Sequence, residues 1–456
     1  MIKRRHFLQS LVAAAASPAA AAPADGRHSQ LGPLLADPNG LLDLPGGFTY
    51  SVVSRAGDTM SDKLKVPRAH DGMAAFDGGN GRVVLICNHE LRPSQQNYSA
   101  FGTMFRPLPE ATKSRVYDRG RGRSPGTGGT TTTIYNPASG ETERQHLSLA
   151  GTEMNCAGGP TPWGSWLSCE ECFEDPVTSY YGGGKITREK PHGYVFEVPA
   201  NESGLVDPVP IKAMGRFEHE ACAVHRPSGI VYMTEDRRYS LFYRFLPNVQ
   251  GQLHEGGRLQ ALAIVARPSM QTHNWTDDHV IGIGEPLTTT WIDLDDVDPG
   301  KNDLRLRGAA AGAATFARGE GMCASDDGFA FACTIGGRHR LGQVFLYRPG
   351  PLEGQTNESE GPGQLTLLAE STRDSLLRNA DNITMAPWGD LIACEDTASH
   401  CGLVGVRADG SQYHLADNAY SNSELAGACF APDGKTLFVN IQFPGTTLAI
   451  TGPWPT

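Results

Sequence analysis

The sequence is short of positive charge: 39 lysines and arginines stand against 50 aspartates and glutamates, a formal net charge of −11. Binding to a phosphate backbone needs a basic face, so nucleic acid is excluded as the default partner. Beyond the first residues no run of about 18 apolar side chains occurs, which argues against a stable membrane insertion. Locally readable hydrolase signatures are missing as well. The chain has no G-x-S-x-G nucleophile elbow, no H-E-x-x-H zinc helix and no P-loop. A long helical period is also absent, whereas 54 glycines and 31 prolines point to many short strands joined by turns.

What is present begins at the N-terminus. Arg4-Arg5-His6-Phe7-Leu8-Gln9, then an alanine-rich run to Ala22 with small residues at Ala22 and Ala24, predicts a twin-arginine signal peptide over 1–24. A linker over 25–47 and one folded domain over 48–456 complete the expected organisation. Such a signal hands a folded protein to the twin-arginine export machinery, so the expected location is periplasmic or secreted. Ten cysteines in an exported chain would suggest disulfides. Their placement suggests instead small buried hydrophobes in strands, with Cys169, Cys333 and Cys394 at one position of a repeat and Cys222 and Cys323 at another. Cys169 and Cys172 have C-x-x-C spacing, but no second pair follows at zinc-ribbon spacing.

The repeat is a short strand, a Gly-containing turn and a second strand. Its copies begin at Asp71, Cys156, Glu220, Glu320 and Asn382 and close with Ala428-Cys429-Phe430-Ala431 through Pro432-Asp433-Gly434 to Gln442. Six copies at irregular spacing predict an all-β fold, a six-bladed β-propeller with long inserted loops, since a closed ring tolerates insertions on its faces. The strand Phe48–Val53 is expected to pair beside the last copy and close the ring. Residues 91–150 and 237–317 read as the largest insertions. Arg119-Gly120-Arg121-Gly122-Arg123 lacks the Lys and helix of a phosphate cradle and reads as a loop leading into a strand.

Polar residues recur at two places in this repeat. One is the start of the first strand, at Asp71, Cys156, Glu220, Glu320 and Asp381-Asn382. The other is the end of the second strand, at Glu90, Glu170-Glu171, Glu235-Asp236 and Glu395-Asp396. Antiparallel pairing brings both places to the same end of a blade. Carboxylates so crowded repel unless cations bridge them. Their many oxygens suit Ca²⁺, and a thiolate at Cys156 suits a transition metal such as iron, so a mixed cluster is expected. Arg318, two residues before Glu320, offers a guanidinium fork to a substrate oxyanion or a salt bridge to the acidic rim. Asp293-Leu294-Asp295-Asp296-Val297-Asp298 is acidic but lacks EF-hand offsets.

Asn88-His89-Glu90, Asn155-Cys156-Ala157-Gly158-Gly159 through Thr161-Pro162-Trp163-Gly164 to Cys169-Glu170-Glu171, Gly215-Arg216-Phe217-Glu218-His219-Glu220, and Pro432-Asp433-Gly434-Lys435-Thr436-Leu437-Phe438-Val439-Asn440 resemble the PhoX-type alkaline phosphatases. The resemblance implies a propeller that hydrolyses phosphate monoesters with Ca²⁺ and Fe³⁺. It implies Cys156 as the iron ligand, Glu90, Glu171, Glu220 and Glu320 as metal-binding glutamates, Glu235 and Asp236 as further carboxylates, and Arg318 as the catalytic, phosphate-contacting arginine. Arg318-Gly319-Glu320 stands where that family's pattern has Arg-Pro-Glu, and the chain is shorter. The expected partners are a small phosphate ester and the export machinery, with the protein a monomer. A calcium-dependent propeller lactonase or diesterase, and a secreted propeller whose metal ions only staple it, remain open on the residues alone.

Overall fold

The computed structural model describes residues 31–102, 109–176, 178–181, 184–278 and 280–455. The expected signal peptide and part of the linker lie outside the described residues. The protein is all-β and propeller-like, with antiparallel pairing in every sheet and only short helices. Six strands form its inner layer: His70–Asp77, Asn155–Pro160, His219–Val224, Gly319–Ser325, Ala380–Met385 and Leu425–Phe430. Each packs beside the next, and the last returns to the first, so the layer is a closed ring.

Each inner strand leads an antiparallel meander outward. The first runs through Val83–His89 and Gly128–Asn136 to Glu141–Thr152, so much of the stretch read as an insertion supplies outer strands. The same correction applies to 237–317, which holds Tyr243–Pro247, Gly257–Ile264 and Pro286–Asp293. Pro286–Asp293 pairs with Gly257–Ile264 on one side and Gln364–Glu370 on the other, so two neighbouring meanders join into a nine-stranded sheet. Thr49–Arg55 pairs with Thr446–Thr451, with Val52 opposite Leu448, and completes the last meander as the sequence predicts.

Burial follows from this layering. Val83–His89 is buried on both faces because sheets flank it on either side. Pro286–Asp293, near the outside, alternates, with Leu287 and Thr289 turned inward. The core between the joined meanders is aromatic: Phe242 stacks on Phe331 at 4.5 Å, and Phe316 meets Phe345 edge-on at 5.5 Å. Each such ring contributes about 1.5–3 kcal/mol by leaving water. All ten cysteines are free, and all but Cys323 and Cys429 are buried. Their register corrects the sequence alignment. Cys333 pairs with Gly319 and so matches Glu170 and Glu395, one residue beyond Cys169 and Cys394. Likewise Cys222 matches Cys429, with Cys323 one residue further on.

Candidate metal centre

All six inner strands carry a one-residue bulge at the same place in their pairing. In the first strand it lies between His70 and Met73, and in the second between Asn155 and Gly158. A bulge re-aims the side chains it holds. Its first residue is Asp71, Cys156, Glu220, Glu320, Asp381 and Gly427 in turn, a ligand type in every strand except the last.

A second set comes from just past the partner strands: Glu90, Glu171, Asp236 and Asp396. The N–H groups of Glu90, Glu171, Thr334 and Asp396 donate to the carbonyls of Ala69, Met154, Arg318 and Asn379 at 2.9, 2.9, 3.0 and 3.0 Å. Those four acceptors are left-handed, with φ of 51°, 44°, 55° and 49°. Each such non-glycine residue costs roughly 1–2 kcal/mol. The recurrent hydrogen bond shows that the conformation at Arg318 is a device of the fold repeated around the mouth.

Cys156, Glu171 and Glu220 bring one ligand atom each within 4.8 Å of one another. So do Glu220, Glu320 and Asp381, then Asp381, Asp396 and Glu424, then Asp71, Glu90 and Glu424. Because Glu220, Asp381 and Glu424 each belong to two groups, the four sets form one continuous arc. Burial first, and neighbouring carboxylates second, push Asp71 up to about 8 and raise Asp381. The same causes hold Glu90, Glu171, Glu220, Glu320 and Glu424 well above the carboxylate range. Burial, then Glu220 and Glu171, push the Cys156 thiol up. Cations would make the charged forms favourable here. The donor set fits hard cations along the carboxylate arc and a softer one at its thiol end.

Arg318 reaches into the arc. Its Nε and Nη2 donate to the two oxygens of Asp236 at 2.8 and 2.9 Å, and Nη2 also donates to Glu320 at 2.7 Å. Its Nη1 lies 3.9 Å from Asp396, a looser pairing than those on the other edge. Beyond the ring of ligands the axis opens into a cavity of ≈ 480 Å³, lined by Met73, Met322 and Met385 and by the hairpin turns of the far face.

Of the sequence-predicted ligands, Glu90, Cys156, Glu171, Glu220 and Glu320 lie in the arc, and Asp236 borders it through Arg318. Glu235 does not. It accepts from Tyr243 Oη at 2.8 Å and from the Leu241 N–H at 3.3 Å, and it lies 3.8 Å from Arg305. The reason is strand parity. Glu235 pairs with His219 as Glu170 pairs with Asn155 and Glu395 with Ala380, and all three turn into their own sheets. Glu170 there binds His192 at 2.7 Å, and Glu395 accepts from the Arg378 N–H at 2.9 Å. His89 and His219 also face away, bound to Thr131 and to the Gly215 carbonyl. Asp298 of the acidic run is taken by Tyr194 and Lys212.

Asp71, Asp381 and Asp396 occupy repeated positions but lie outside the ligand set that the resemblance implies. Glu424 carries no repeat signal. The sixth strand has Gly427 at the ligand position, and Glu424 enters from the loop before it. Gln442 completes that side, its amide donating to Asp71 at 3.0 Å and Glu90 at 2.8 Å.

A family model described as alkaline phosphatase PhoX matches residues 29–445. Among solved structures, PhoX from Pseudomonas fluorescens in complex with vanadate, a transition state analogue, is similar at a TM-score of 0.64 and 19% identity. That match covers 90% of this chain and 96% of that one, a likeness of fold. A gluconolactonase from Xanthomonas campestris matches at a TM-score of 0.38 and 12% identity, over 93% of this chain and 99% of its own. Virginiamycin B lyase from Staphylococcus aureus matches at 0.36 and 11%, over 89% and 98%. No curated protein sequence matches the chain.

Proposed function

The chain belongs to the alkaline phosphatase PhoX family, and from that premise we propose that it is an exported phosphomonoester hydrolase working at an iron–calcium centre. The observation that carries the proposal is the arc of buried and half-buried carboxylates that ends on one thiol and encloses Arg318. Cys156, Glu171 and Glu220 would hold iron. The three remaining carboxylate groups, through Glu320, Asp381, Asp396, Glu424, Asp71 and Glu90, would hold calcium. When bound, these ions supply Lewis-acid neutralisation of the phosphoryl oxygens.

The chain's own residues do the positioning. Asp236 and Glu320 grip one edge of the Arg318 guanidinium and aim its Nη1 edge at the phosphoryl group. The carboxylates crowd one another, with Asp71, Glu220 and Glu320 buried and the others half-buried, so charge at the centre is set by cations and by Arg318. Six blades are supported by the six inner strands in a closed ring and by the completion of the last meander by Thr49–Arg55. Export by the twin-arginine route to the periplasm rests on Arg4-Arg5 and the alanine-rich run, and the protein would act as a monomer.

The test is protein purified after native export. Elemental analysis should find iron with calcium, and hydrolysis of p-nitrophenyl phosphate at alkaline pH should vanish with a chelator and return with calcium. Arg318→Ala should lower kcat/KM by about 100-fold or more if it meets charge formed in the transition state. Metal-replete protein without chelator-sensitive hydrolysis would sink the proposal.

A further inference from the structure

A leaving group that carries a second anion gains from a cationic foothold beside the centre. Such a foothold exists. Arg338, His339, Arg340, Leu341, Arg373 and Arg378 line one depression, and all but Leu341 are exposed. Among the described residues Arg340, Arg373 and Arg378 make no ion pair, although the chain has more acids than bases. Arg338 alone is paired, with Asp277.

The depression lies at the mouth end of the ring. Residues 338–341 follow Gly328–Cys333 where that strand reaches the mouth, and 373–378 lead into Ala380–Met385, which starts there. Asn379 is the wall between the two sites. Its N–H donates to the Leu341 carbonyl at 2.6 Å, and its own carbonyl accepts from the N–H of Asp396, a member of the arc. Its side chain donates to the Thr334 carbonyl at 2.9 Å and fixes the loop that carries the arginines. Trp275 braces that loop from outside: Nε1 donates to the Ile335 carbonyl at 2.7 Å, and the Arg340 guanidinium lies 4.5 Å from the ring centroid.

We propose that this arginine depression is a leaving-group subsite selecting phosphate esters that carry a second phosphate or carboxylate. The inference rests on the phosphatase reading above. Unpaired guanidiniums bind oxyanions bidentately, and a few exposed contacts of this kind sum to a preference on the order of tenfold.

The experiment compares metal-replete protein on alkanediol bisphosphates and on alkyl monophosphates of the same chain lengths. The expected result is a kcat/KM ratio favouring the bisphosphate on the order of tenfold, corrected for its two equivalent phosphates. Added salt should lower the ratio, and the triple variant Arg340→Gln, Arg373→Gln, Arg378→Gln should erase it. Charge-retaining Arg373→Lys should keep most of it and guards against misfolding of the triple variant. Turnover of both substrates without preference, or a preference unchanged in a folded triple variant, overturns this inference alone. No turnover of either substrate overturns the phosphatase reading, and this inference with it.

Discussion

The amide of Asn88 donates to the main-chain oxygens of Cys156 and Ala157, at 3.0 and 2.7 Å, across the boundary between the first two sheets. Its own oxygen accepts from Trp166 Nε1 at 2.9 Å and from the Ser168 hydroxyl at 2.8 Å. Asn88 is fully buried, so all four bonds lie where no water replaces them. The bulge that presents the proposed iron-binding thiol is therefore held from the neighbouring sheet. Asn88→Ala should leave a buried indole and two carbonyls short of partners and cost about 1–3 kcal/mol. It should also lower iron per chain more than calcium. Elemental analysis beside a thermal unfolding curve checks both. Full iron content at a reduced Tm would limit Asn88 to a structural tie.

Glu235 and Asp236 are adjacent acids with opposite fates, and they separate experimentally. Glu235→Gln removes a charge that Tyr243 and Arg305 attend inside the sheet. Its expected effect is a changed Tm with metal content and KM intact. Asp236→Asn frees one edge of the Arg318 fork and should lower kcat with little change in Tm. Steady-state kinetics of the two purified variants decide the matter. The assignment is wrong if Glu235→Gln is the one that loses metal.

That pair also shows what a sequence makes legible. The inner strands stood out because their approach at the axis demands small residues. A Cβ on Gly72 would lie 2.5 Å from the Ala157 Cα, and one on Gly321 would lie 2.5 Å from the Asp381 carbonyl. Ligand-then-small pairs such as Asp71-Gly72, Cys156-Ala157 and Glu320-Gly321 therefore repeat. Outer strands such as Gly128–Asn136 and Pro286–Asp293 answer only to their flanking neighbours, so no motif recurs and they read as insertions. Parity was harder. Matching cysteine to cysteine sets Cys333 and Cys323 one step off their true register, and where two acids are adjacent, as in Glu235-Asp236, residue type does not tell which one turns into the sheet. Glu424, outside the repeat, left no trace at all.

His192 supplies a pH dependence away from the centre. It is fully buried between Glu170 at 2.7 Å and Asp118 at 3.4 Å. Burial opposes its charge, but the Glu170 and Asp118 carboxylates outweigh it and push the imidazole up to about 9, from 6.5. The folded state thus binds this proton more tightly than the unfolded chain. The resulting stability is fully present below pH 6.5 and is lost as pH rises through about 9. Calorimetric scans in calcium-containing buffer should show Tm falling between those limits, and His192→Gln should flatten the fall. An unchanged slope in a folded His192→Gln protein would place the alkaline loss elsewhere.

Metal removal should reverse the usual carboxylate behaviour. Without cations Asp71 is pushed up to about 8, from 3.8, by burial and Asp381, and its neighbours in the arc are raised as well. Between those limits the folded chain holds more protons than the unfolded one. Its stability must then fall as pH rises through the window, the opposite sign to a salt-bridged carboxylate. Cations that take the place of those protons cancel this term and displace the protons into solution. Two measurements follow. The Tm gap between metal-replete and chelator-stripped protein should widen from pH 4 to pH 8. Calcium titrated into stripped protein near neutral pH should release protons, seen as a binding heat that scales with the ionisation enthalpy of the buffer. A pH-independent gap with no proton release would mean that the arc stays charged without cations, and the case for a cation-built centre would fall.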